Sequence, residues 1–127
     1  MINFFDLIGR IFISILFLLN GYFKIINYDG TIEWMESFGI PGILLMPAII
    51  LEITAPILIM LGYKTKIAAA LLAAFCLTTA LIFHVDFSSQ IQVTSFLKNI
   101  ALAGGFLIIV VNGAKKFSFD KIEKKNK

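Results

Sequence analysis

The stretch from Gly42 to Leu61, GILLMPAIILEITAPILIML, constrains this chain more than any other. About 20 apolar residues are enough for a helix to cross a bilayer. Its centre holds one carboxylate, Glu52, between Pro47 and Pro56. A carboxylate at that depth costs roughly 2.5–3.5 kcal/mol on insertion scales. It is too short to snorkel to the interface, so it must be protonated or paired with a group on another helix.

Three further apolar runs flank this one. Of the 127 residues, 59% are hydrophobic and 15% charged, against about 45–50% apolar in a soluble domain. The sequence therefore predicts an all-α bundle of four transmembrane helices, over about 6–26, 42–62, 66–84 and 95–112. It forms a single membrane domain that ends in a basic tail, 113–127. The first run is read as a retained helix and not as a signal peptide. Its start is not basic, and Asn20-Gly21-Tyr22-Phe23 continues it without an A-x-A-like cleavage site.

The connections differ in charge. Asn27 to Gly39 carries Asp29, Glu33 and Glu36, and its Ile32, Met35 and Phe38 suit a short helix lying along the surface. The second connection carries Lys64 and Lys66, the third only Asp86. The tail holds Lys115, Lys116, Lys121, Lys124, Lys125 and Lys127 against Asp120 and Glu123. The positive-inside rule then places both termini and the second turn in the cytoplasm. The net charge of +3 thus reads as topology and anionic-lipid contact, with no nucleic-acid partner. A single Cys76 and a single His84 exclude an intramolecular disulfide and a metal site of their own. Cys76 lies on a small-residue stripe with Ala69, Ala73 and Ala80, which suits close helix packing; Ala101-x-x-x-Gly105 is a second such pair.

At about 1.5 Å of rise per residue, every helix brings a polar group to the outer half of one bundle. Asn20 and Lys24 come from the first helix, Glu52 from the second, His84 from the third, Lys98 and Asn99 from the fourth. Polar groups at membrane depth face the bundle interior. The expected result is an outward-facing pocket with Glu52 as its floor. Glu52 and His84 are the candidates for proton handling, and Asn20, Lys24, Lys98 and Asn99 the candidates for binding a ligand. The blander readings are snorkelling for the lysines, a helix cap for His84 and interhelical hydrogen bonds for the asparagines. Arg10, alone near the cytoplasmic end, is expected to contact lipid phosphate. Cations outnumber anions in the outer half, which suits an anionic or quinone-like oxygen ligand.

The order of these marks resembles the DoxX family. The matching elements are Arg10, Gly21-x-x-Lys24, Gly39-Ile40-Pro41, Leu51-Glu52, Leu61-Gly62 with Lys66, and His84. Phe96 to Gly105 (FLKNIALAGG) follows, and then the tail GAKKFSFD from Gly113 to Asp120. Phe119 stands where the closing pattern has leucine, and Lys66 where arginine is usual. The resemblance implies a four-helix protein of the bacterial inner membrane. Some members are linked to quinol-oxidase or thiosulfate–quinone chemistry, others to sulfur-transfer and superoxide-handling partners. It implies a membrane subunit of a redox system; no cofactor or redox centre is evident in the chain itself, so electrons are expected from a redox partner protein or from a bound cofactor such as a quinone. A non-catalytic scaffold or solute- or lipid-binding protein is the alternative, and a small transporter a weaker one; homo-oligomers fit any of these.

Overall fold

The computed structural model describes residues 1–84 and 86–126, with side chains through residue 122. Val85 lies outside the described residues, as do the side chains of the tail lysines Lys124, Lys125 and Lys127. Six α-helices follow in order: α1 (Ile2–Ile26), α2 (Tyr28–Ser37), α3 (Leu45–Leu61), α4 (Thr65–Phe83), α5 (Gln90–Asn112) and α6 (Phe119–Asn126). A 3-10 turn, Gly42–Leu44, leads into α3. There is no strand among the described residues. Four segments are long and apolar enough to cross a membrane: α1, the 3-10 turn with α3, α4 and α5. Their outward faces carry large apolar side chains such as Phe12, Ile50, Leu81, Ile108 and Val111. In water such a surface would be an aggregation hazard; in a bilayer it is the solvent-matched face.

The helices pack as two close pairs. α1 lies along α3 and α5 lies along α4, while the α3–α4 contact is smaller and α1 and α5 scarcely approach. Small residues make the close approaches possible. A Cβ on Gly21 would stand 2.8 Å from Ile53 Cγ1, so glycine lets α1 settle against α3. Ala69, Ala73, Cys76 and Ala80 form a fully buried stripe on α4. The Ala101–Gly105 pair does not make a matching seam: Ala101 is exposed, and Ala103 and Phe106 are the buried residues of α5. The α5 helix turns its bulk inward and leaves Ala101 to lipid.

Two apolar cores result. One joins Phe17, Ile59, Leu72, Cys76 and Phe106. The other, at the α2 end, joins Met35, Leu45, Ile49 and Phe83. Trp34 stacks on Phe83 with ring centroids 4.3 Å apart, which fixes α2 across that end of the bundle.

α5 starts at Gln90, five residues before the Ser95 that the apolar pattern suggests. Polar Gln90 and Gln92 are tolerated because this turn projects towards the loop, and Gln92 Oε1 meets His84 Nδ1 at 3.0 Å. The tail also departs from expectation. It folds back and docks on the start of the bundle before forming α6. Lys115 N–H donates to Asp6 Oδ2, and Asp120 N–H donates to the carbonyl of Gly62. Gly62 has φ +71°, the left-handed cap that ends α3.

Candidate functional site

Between the two cores lies a cavity of about 810 Å³. Its wall is mostly apolar, with Phe17, Leu51 and Phe75 from one core and its flank, and Met35 and Phe83 from the other. Asn20, Lys24, Glu52, His84, Lys98 and Asn99 all line it. These six come from α1, α3, the end of α4 and α5.

Glu52 is 2% exposed, and its Oε2 accepts a hydrogen bond from Lys24 Nζ at 2.6 Å. The Lys24 ammonium also sits 5.5 Å from the centroid of the Phe75 ring on α4. Lys24 therefore turns inward and does not snorkel. The ion pair answers the demand that a buried carboxylate makes on its surroundings, and it does so with Lys24 alone. Lys98 and His84 share the cavity without contacting Glu52.

His84 is engaged by Gln92, a partner outside the expected set. Thr78 and Thr79, also in the wall, donate to the carbonyls of Ala74 and Cys76 in their own helix. Among the described residues, the side chains of Asn20, Lys98 and Asn99 have no hydrogen-bond partner in the protein. With Lys24 and Glu52 neutralising each other, Lys98 leaves this cavity with a net positive charge beside two free amides. Asn20 and Asn99 are half-buried and Lys98 is exposed, so these groups stand at the cavity wall where solvent can reach them.

Arg10 is elsewhere. It is 1% exposed and does not reach lipid. Its guanidinium donates to Asp6 Oδ2 at 3.0 Å, to the carbonyls of Ile59 and Met60 at 2.9 and 3.1 Å, and to the Phe117 carbonyl. The lipid-contact expectation fails because the tail folds back and supplies a carbonyl, which makes Arg10 the tie between α1, the end of α3 and the tail. Beside it, Asp120 accepts from the N–H groups of Lys64 and Thr65 and from Thr65 Oγ1. That carboxylate caps α4 from outside the helix. The signal was in the sequence, as the closing S-F-D of residues 118–120, but nothing in its spacing named Thr65.

A four-helix membrane bundle with a mostly apolar cavity that carries a few polar side chains is the class this architecture defines. The chain belongs to the DoxX family, whose model (described as DoxX) matches residues 5–85. It is 37% identical to the inner membrane protein YqjF of Escherichia coli (strain K12) over 116 residues, covering 91% of this chain and 89% of that protein. It is 34% identical to the inner membrane protein YphA of the same organism over 122 residues, covering 91% and 87%. No solved structure matches the chain. The apolar spans and these relatives make it a multi-pass inner-membrane protein.

Proposed function

We propose that this protein is the membrane subunit of a quinone- or sulfur-linked redox system and binds a small oxygen-bearing ligand in the cavity above Glu52. One observation carries the reading. Asn20, Lys98 and Asn99 present unpartnered polar groups to the same cavity in which Lys24 and Glu52 are already paired. A quinone offers two carbonyl oxygens to such donors, and a small sulfur oxyanion offers a charge to Lys98. The volume, about 810 Å³, lies within the range of ligand pockets, roughly 300–1,000 Å³. Glu52 and His84 are the groups able to hold or pass a proton, and electrons reach the ligand from a partner protein. The positive-inside pattern of Lys64, Lys66 and the tail supports termini in the cytoplasm and the cavity in the outer half.

Trp34, the single tryptophan, lines the cavity and reports on its contents. Reconstituted protein should show saturable quenching of Trp34 on addition of a short-chain benzoquinone or of thiosulfate. The double variant Lys98→Met/Asn99→Leu should weaken that binding at least tenfold. Quenching that is linear in ligand, or unaltered in the variant, contradicts the reading.

A further inference from the structure

The cavity also indicates the route by which it is filled. The four helices do not close evenly around it. α1 packs on α3 and α5 on α4, whereas the α1–α5 seam is thin. That seam is shut in the half that carries the termini. There Phe17 and Phe106 meet edge to face at 5.4 Å, and Ile13 Cδ1 lies 2.9 Å from where a Cβ on Gly105 would stand. Beyond Phe17 the two helices present cavity wall to each other: Asn20 and Lys24 on one side, Lys98 and Asn99 on the other.

The wall here continues onto the outer surface of α1. Phe23 and Ile26 line the cavity and are 58% and 65% exposed. Both belong to a segment long and apolar enough to span the membrane, so their exposed faces meet lipid. At the α2 end, Trp34, Phe38 and Phe83 gather into one aromatic cluster.

We propose that the ligand is a membrane-partitioned amphiphile that enters sideways through the α1–α5 seam, with its oxygen-bearing head against Asn20, Lys98 and Asn99 and its apolar chain left between α1 and α5. This rests on the ligand-binding reading above and narrows it, since a water-soluble oxyanion has no use for a lipid-side entrance. Phe17 and Phe106 set the depth at which the seam closes and so the depth to which the head descends, next to the Lys24–Glu52 pair.

The test uses full-length protein in liposomes and a benzoquinone carrying a decyl chain with a terminal diazirine. Trp34 quenching first establishes whether the probe binds saturably. Photolysis then marks where the chain lies, and excess unlabelled decyl-benzoquinone identifies the labelling that is competed. Competed labelling should be at least tenfold heavier on peptides covering 20–27 and 95–102 than on those covering 30–44 and 86–89. Saturable binding with competed labelling confined to 30–44 and 86–89 overturns the sideways entrance and leaves the binding reading standing. A probe that neither quenches saturably nor labels competitively overturns both.

Discussion

Lys24 on α1 donates to Glu52 on α3 across 2.6 Å, from 28 positions away in the chain. The carboxylate is almost wholly buried, while the lysine side chain keeps 27% exposure. Each is the other's only ion-pair partner among the described residues. A buried pair of this kind is weak evidence for stability, because desolvation offsets most of the attraction. The pair stands in the cavity wall, beside the site of the proposed ligand.

Single and double substitutions should therefore diverge. Lys24→Met leaves Glu52 without its cation and should cost about 3–5 kcal/mol. The double variant Lys24→Met/Glu52→Leu removes both charges and should be neutral or more stable, by about 1–4 kcal/mol. Thermal unfolding in detergent checks both. The double variant should nonetheless lose ligand-dependent quenching of Trp34, which separates a functional pair from a structural one.

Arg10 should behave in the opposite way. Its donors serve Asp6 and three main-chain carbonyls. Arg10→Leu should destabilise the protein by roughly 3 kcal/mol, since it strands a carboxylate and buried acceptors together. Arg10→Lys should rescue little, because an ammonium cannot reproduce the planar fork. Hydrogen exchange should rise first in 113–122, where the tail is docked.

The α4 cap should be sensitive to acid. Burial pushes the Asp120 carboxyl up, but hydrogen bonds from Thr65 Oγ1, Thr65 N–H and Lys64 N–H, with Arg10 nearby, outweigh it and hold it below its ordinary value. A carboxyl depressed in the folded state contributes stability above its unfolded pKa of about 3.9 and loses it as pH falls through the folded value. Exchange at Lys64 and Thr65 should thus be slow at neutral pH and accelerate below about pH 4. Asp120→Ala should remove the transition and cost about 1 kcal/mol, as for other helix caps.

Gly62 should tolerate no side chain. Its φ of +71° disfavours any L residue, and a Cβ there would overlap Ser118 Cβ and come within 2.9 Å of Arg10 Nη1. Gly62→Ala should release the tail while leaving the four spans folded. Proteolysis between Gly113 and Lys121 in otherwise helical protein is the readout.

Much of this was legible because a membrane leaves few choices. Apolar length gave the spans, and a carboxylate too deep to snorkel demanded a facing cation, which Lys24 supplies. Asn20, His84, Lys98 and Asn99 followed from depth alone, since polar groups of one half-bundle share one interior. What escaped were contacts set by chain folding beyond the spans. Arg10 resembled a lipid-phosphate contact because nothing local showed that Phe117 would return to it. Gln92 looked like loop because its polarity hid the first turns of α5. The closure of the α1–α5 seam at one end involves Phe17 meeting Phe106, two phenylalanines among 13 that no periodicity singles out.

The central claim is that the cavity above Glu52 holds a specific ligand. The most direct measurement is a structure of the protein extracted with its native lipids, resolved well enough to show what lies between Asn20, Glu52 and Asn99. The account expects discrete density for a polar head within hydrogen-bonding distance of Lys98 and Asn99, with an apolar chain leaving between α1 and α5. A cavity closed by side-chain repacking, with Asn20, Lys98 and Asn99 bonded to one another, would contradict it.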